Sequence, residues 1–194
     1  MTTSPSPPPP LAPVDVSVVV PTRDRPELLA RAVQAILTQE HDGQVECLVV
    51  FDQSEPHDVP LGADLPPRRS IRLLRNTRTP GLAGGRNSGV LAASYVLVGF
   101  CDDDDEWLPG KLTAQVRLLA ERPDSPVVAT GVLVNYEGRD VTRTGPSRDL
   151  HQADFLDDRL MEVNPCTALI RRDVMLNRIG LVDETIPGGY GEDY

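Results

Sequence analysis

VDVSVVVPTRDRPELLARAVQAIL, residues 14–37, changes its hydrophobic period partway along. Val14 to Val20 is a β-branched run stopped by Pro21, which reads as a strand buried on both faces. Asp24 and Pro26 then mark a helix start, and Leu28, Leu29, Ala32, Val33, Ile36 and Leu37 recur at helical spacing. A strand feeding directly into a helix is the opening of an α/β sheet, and the rest of the chain repeats that alternation.

Val45 to Phe51 is a second buried strand, closed by Asp52, Gln53 and Ser54. A loop bearing Pro56, Pro60, Pro66 and Pro67 leads to a third strand, Ser70 to Leu74. Gly81, Gly84 and Gly85 then open a short helix that runs through Val90 to Ala93. The fourth strand, Tyr95 to Cys101, runs straight into Asp102, Asp103, Asp104, Asp105 and Glu106. The following helix begins near Pro109 and carries Leu112, Val116 and Leu119 on one face. Beyond it, Val127 to Tyr136 reads as one strand and Phe155 to Met161 as a short helix in a Gly-, Arg- and Asp-rich stretch. Cys166 to Ile170 reads as a strand, and Asp173 to Ile179 as a helix ended by Gly180.

Alternating strands and helices imply a mostly parallel sheet covered on both faces, a three-layer α/β/α architecture. Ligands in such sheets bind at the carboxyl ends of the strands. The polar clusters fall there: Thr22 to Asp24, Asp52 to Ser54, and the acidic run after the fourth strand.

The chain has 194 residues, a net charge of −10 and 40% hydrophobic residues, enough for one domain over residues 14–194. Six of its 19 prolines lie in the first 13 residues, which read as a disordered, partly polyproline II tail. The acidic balance argues against a nucleic-acid partner, because phosphate contacts need a basic face. No transmembrane segment and no secretory leader are visible, which points to the cytoplasm and is compatible with peripheral attachment to a membrane. Cys47, Cys101 and Cys166 are far apart, as are His41, His57 and His151, and neither set has metal-ligand spacing.

Four consecutive aspartates followed by Glu106 repel one another unless a cation or solvent relieves them. An EF-hand is excluded, because the sixth loop position counted from Asp102 is Trp107 rather than glycine. A magnesium-type site fits better, with one or two carboxylates on the ion and substrate phosphates completing its shell. GLAGGRNSG matches neither the P-loop nor GxGxxG, although Arg86 within it could meet a phosphate or a base carbonyl.

Taken in order, VSVVVPTRDRPELLARAVQAILTQ, ECLVVFDQS, GLAGGRNSGVLAASYVLVGFCDDDDEWLPGKL and LIRRDVMLNRIGLVDETIPGGYGEDY resemble the family 2 glycosyltransferases. These are inverting enzymes of the GT-A fold that use nucleotide-sugar donors. The resemblance implies that Pro21, Thr22 and Asp24 line the nucleoside pocket and that Asp52 hydrogen-bonds the base. It makes Asp102 and Asp104 the outer residues of a DxD motif, Asp102 toward the ribose and Asp104 on Mn2+ or Mg2+ beside the diphosphate, with Asp103 the variable middle residue. Arg86 and Asn87 match a segment near the nucleotide. Glu192 and Asp193 match an ED motif whose Asp, here Asp193, is the general base toward the acceptor hydroxyl.

Phe51 and Gln53 depart from the Asp and Gly often found beside the base-binding acid. The family continues past the ED motif with a helix and an acceptor-binding region, so the domain over 14–194 reads as incomplete at its C-terminus. The expected donor is a UDP- or dTDP-sugar ahead of a GDP-sugar, and the acceptor a glycan, lipid-linked or small-molecule hydroxyl. A second reading is a nucleotide-diphosphate-binding module that performs no transfer. A nucleotidyltransferase would need a glycine-rich triphosphate loop after the first strand, which PTRDRPEL does not supply.

Overall fold

A computed structural model describes residues 13–186 apart from 63, 147, 158, 159 and 161. Residues 1–12 of the expected tail, Met161, Glu192 and Asp193 lie outside the described residues. The strands are β1 (Val16–Thr22), β2 (Val45–Phe51), β3 (Arg69–Arg75), β4 (Leu97–Phe100), β5 (Val127–Ala129), β6 (Val132–Tyr136), β7 (Arg139–Arg143) and β8 (Ala168–Arg171). The helices are α1 (Pro26–Leu37), α2 (Leu82–Ala92), α3 (Lys111–Glu121), α4 (Gln152–Asp157) and the single turn α5 (Arg172–Val174).

The main sheet has the order β3-β2-β1-β4-β8-β5. Its first four strands are parallel, while β8 runs antiparallel to both β4 and β5. Every residue of β1 and β2 is buried, as expected for central strands covered on both faces. Val16, Val18, Val20, Cys47 and Val49 pack with Leu29, Val33 and Ile36 of α1 and Leu112 and Leu119 of α3. Val19, Leu48 and Val50 face the other way, toward Val90 of α2 and Met175. The three-layer expectation therefore holds, with a mostly parallel sheet between α1/α3 and α2.

The chain runs outward from β1 to β2 and β3 and then returns to place β4 on the other side of β1, so the strand order reverses between β1 and β4. Pro21 adds to that switch point. The parallel ladder ends with the Cys101 N–H donating to the Val19 carbonyl at 3.0 Å, and the next bond would need an N–H that Pro21 lacks. On its other side β1 stays paired with β2, the Asp52 N–H reaching the Thr22 carbonyl at 2.9 Å. A crevice between β1 and β4 at the carboxyl edge follows from one residue.

Several boundaries differ from the sequence expectation. The stretch from Val127 to Tyr136 is two strands in two sheets: β5 joins the main sheet, and β6 leaves it to pair with β7 as a hairpin. Between them Gly131 lies so close to the chain that a Cβ there would sit 2.6 Å from the Arg143 carbonyl oxygen. The hairpin turns at Glu137 and Gly138, with φ of 49° and 76°, the left-handed pair of a type I′ turn. Asp24 is not a helix cap; its φ is 54°, Arg25 is the N-cap and Pro26 opens α1. The helix expected near Phe155 begins earlier, at Gln152. After α5, residues Met175–Ile179 form a wide π-type turn closed by the Gly180 N–H on the Met175 carbonyl at 2.8 Å.

Candidate functional site

Asp103, the middle residue of the acidic motif, is the buried one. Its Oδ2 accepts from the Thr22 hydroxyl at 2.8 Å and from the Arg23 N–H at 3.4 Å, and its Oδ1 from Arg25 at 3.2 Å. It thus spans the crevice and joins the loop after β4 to the loop after β1. Cys101 and Asp103 are both buried two residues apart just past β4, whose own residues are all buried, so the sequence carries no alternation that would single Asp103 out. The motif resemblance, which treats this position as variable, passed over it, and it passed over Arg25 as well.

The outer aspartates are more open and each faces an arginine. Arg86, 2% exposed on α2, donates to Asp102 Oδ1 at 3.1 Å. Arg25 donates to Asp104 Oδ2 at 2.8 Å, and the Asp104 side chain is 53% exposed. At Asp105, desolvation raises the carboxyl above the usual carboxylate range; the Cys166 thiol's hydrogen bond opposes the shift, and the charges of Asp102 and Asp104 add to it. Burial likewise pushes the Cys101 and Cys166 thiols well above the usual thiol range. The Asp102 N–H points at Cys166 Sγ, 3.2 Å away.

This donor set suits a hard divalent cation. Ligand atoms of Asp102, Asp105 and Cys166 lie within 4.8 Å of one another, and Asp104, outside that group, presents a half-exposed carboxylate to Arg25 from the same loop. The carboxylates match Mn2+ or Mg2+, whereas a thiol held in its protonated form does not. Arg25 and Arg86 place positive charge against Asp104 and Asp102 respectively.

Asp52 is 6% exposed and fully engaged with the protein. It accepts from Asn76 Nδ2 at 2.8 Å, the Gly81 N–H at 3.1 Å and Gln53 Nε2 at 3.0 Å. Burial opposes its ionisation, but these hydrogen bonds and the charge of Arg23 outweigh burial and hold its carboxyl below the usual range. Here Asp52 braces the start of α2. Pro21 packs on α2, where a Cβ on Gly85 would lie 3.2 Å from the proline ring. Asp24 is exposed beside Arg23 at the crevice mouth.

Asn87 does not face the crevice loops. It donates to the Val182 carbonyl at 2.8 Å, accepts from the Val182 N–H at 2.9 Å and donates to Glu184 at 2.6 Å. Glu184 also takes Arg78 and the Thr79 N–H, at 3.2 Å, so the segment after Gly180 is pinned to α2 and to the loop after β3. Burial opposes ionisation of Glu184, yet its bonds from Asn87, Arg78 and Thr79 bring the carboxyl down to about 2. Trp107 is a packing residue: it is 5% exposed, lies over Gly99 and carries the Lys111 ammonium 4.0 Å from its ring centre. Arg171 and Arg172, adjacent charges at the end of β8, bind carbonyls at the ends of α3 and α2, including Leu119 at 3.0 Å and Val90 at 3.3 Å.

A crevice at the switch point of a mostly parallel sheet, lined by Asp102, Asp103 and Arg86, lies where α/β folds take their ligands. The family model described as glycosyl transferase family 2 matches residues 17–178, and the chain belongs to that family. It is 28% identical over 181 residues to the uncharacterized glycosyltransferase YwdF of Bacillus subtilis (strain 168), covering 92% of this chain and 66% of that protein. It is 27% identical over 120 residues to the UDP-Glc:alpha-D-GlcNAc-diphosphoundecaprenol beta-1,3-glucosyltransferase WfgD of Escherichia coli, covering 62% and 47% of the two chains.

Among solved structures, S. aureus TarS 1-349 in complex with UDP superposes with a TM-score of 0.68 at 19% identity, over 92% of this chain and 52% of that one. The mannosyltransferase PcManGT from Pyrobaculum calidifontis, in complex with GDP-Man and Mn2+, gives 0.64 at 20% identity, over 97% and 51%. The fold is therefore of the GT-A type, and the chain spans about half to two thirds of the length of these proteins.

Proposed function

We propose that the crevice between β1 and β4 binds a nucleoside-diphosphate sugar and that the protein transfers the sugar, with inversion, to an acceptor hydroxyl. The observation that carries this is the meeting of Asp103 with Thr22, of Asp102 with Arg86 and of Asp104 with Arg25 at the switch point of a family 2 chain. UDP is the favoured nucleotide, supported by the UDP-glucose in the name of WfgD and the UDP held by TarS. A lipid-linked or glycan hydroxyl is the corresponding acceptor class.

Asp104, with Asp102 or Asp105 beside it, would hold Mn2+ or Mg2+, and the bound cation would offset the charge of the departing diphosphate. Pro21, Thr22 and Asp24 form the nucleoside side of the crevice, and Arg86 holds Asp102 in place toward the ribose. The braced loop after β2, with Asp52 at its root, bounds the space for the base. Asp193, outside the described residues, is the proposed base that takes the acceptor proton as the hydroxyl attacks opposite the diphosphate.

Calorimetric titration with UDP, with and without Mn2+, tests the reading. Metal-dependent binding that Asp104→Asn weakens by about 100-fold is expected. Asp193→Asn should retain that binding while UDP release from a UDP-sugar falls by about 1,000-fold. UDP binding indifferent both to metal and to Asp104→Asn would overturn the assignment.

A further inference from the structure

We infer that Arg25 is a tethered counter-cation that occupies Asp104 until a divalent metal ion replaces it, and that Asp103 is the positioning residue that keeps it at hand. The inference rests on the metal reading of Asp104 given above and concerns what holds that carboxylate when no metal is bound.

One guanidinium nitrogen, Nη1 of Arg25, makes both contacts, 3.2 Å to Asp103 Oδ1 and 2.8 Å to Asp104 Oδ2. The two carboxylates differ in kind. Asp103 has a side chain 9% exposed and is further bound by the Thr22 hydroxyl and the Arg23 N–H, so it is a fixed anchor. Asp104 is 53% exposed, and Arg25 is the only side chain among the described residues shown bonding its carboxylate. Arg25 is itself half exposed, as Asp104 is, so parting the two leaves neither charge buried.

A cation arriving at Asp104 therefore competes with a guanidinium at the same oxygen, and the displaced group stays on Asp103. Four adjacent aspartates would otherwise repel one another, and Arg25 relieves that repulsion at the two central positions. Its removal leaves Asp104 more negative and open, so metal binding in the absence of nucleotide becomes tighter. A half-exposed pair sets the size of the effect at about two- to fivefold in affinity.

The test is a Mn2+ titration of the full chain without nucleotide, with free ion read by its solution electron paramagnetic resonance signal. Arg25→Gln should bind Mn2+ about two- to fivefold more tightly than the wild type, and Arg25→Lys should return to the wild-type value. Arg31→Gln removes the same charge from the neighbouring pair with Glu106 and should tighten binding less; equal tightening would reduce the effect to net charge and overturn the inference. Unchanged or weaker binding by Arg25→Gln overturns it as well. Asp104→Asn separates the two levels. If Asp104→Asn binds like the wild type, the metal reading itself fails and this inference with it; if Asp104→Asn loses Mn2+ while Arg25→Gln matches the wild type, only the role of Arg25 fails.

Discussion

Arginines sit at both ends of the main sheet but bind different partners. At the amino edge Arg69, Arg171 and Arg172 hold backbone carbonyls, while Arg72 bridges the Ala92 carbonyl and the buried Glu46 carboxylate. Arg69 alone donates to the carbonyls of Leu37, Gln39, His41 and Gly43, at 3.2, 2.9, 2.7 and 2.9 Å, and Arg171 and Arg172 do the same at the ends of α3 and α2. At the carboxyl edge they hold carboxylates: Arg25 on Asp103 and Asp104, Arg86 on Asp102, Arg78 on Glu184. A carbonyl that has lost its water and its helix partner needs that donor permanently. A carboxylate can exchange an arginine for a metal ion or a ligand. The amino edge is thus built as a clamp, and the carboxyl edge as a set of charges that can change partners.

The sharpest way to break this division is Arg69→Ala, which strands several carbonyls in the loop between α1 and β2. It should cost about 3 kcal/mol in urea unfolding while leaving Mn2+ affinity of the folded protein unchanged. Glu184→Gln probes the carboxyl edge and should cost about 1–2 kcal/mol at neutral pH. Because the Glu184 carboxyl is held down at about 2 against an ordinary 4.5, its stabilisation is present above pH 4.5 and is lost as pH falls toward 2. The gap in urea midpoint between wild type and variant should close over that window; a gap constant with pH would show that the Glu184 charge contributes nothing. The smallest effect belongs to Arg31→Gln, whose pair with Glu106 is exposed on both sides and should shift stability by no more than about 0.5 kcal/mol. A loss there as large as for Arg69→Ala would erase the contrast between the two edges.

The central strands were legible in the sequence because burial on both faces leaves largely apolar runs, as in Val16–Thr22 and Val45–Phe51, and the polar clusters of the candidate site follow them directly. The hairpin was not legible. Every residue of Arg139–Arg143 is exposed, so no alternation marks it, and only the Glu137–Gly138 turn betrays it. The reversal of β8 was hidden for another reason: strand direction depends on where the preceding loop returns, and no residue of Ala168–Arg171 records that. The arginine partners were equally out of reach. Arg171 and Arg172 look like a solvated pair until α2 and α3 are known to end beside them.

Asp52 lies at the end of β2, yet its two carboxylate oxygens also hold Asn76, beyond β3, and Gly81, which starts α2. Bonds that share one acceptor group are not lost one at a time, since freeing either partner leaves part of a buried charge unsolvated. Local opening here should accordingly be concerted, the roots of the three loops loosening together, and amide hydrogen exchange across this wall of the crevice is expected to report a shared opening free energy.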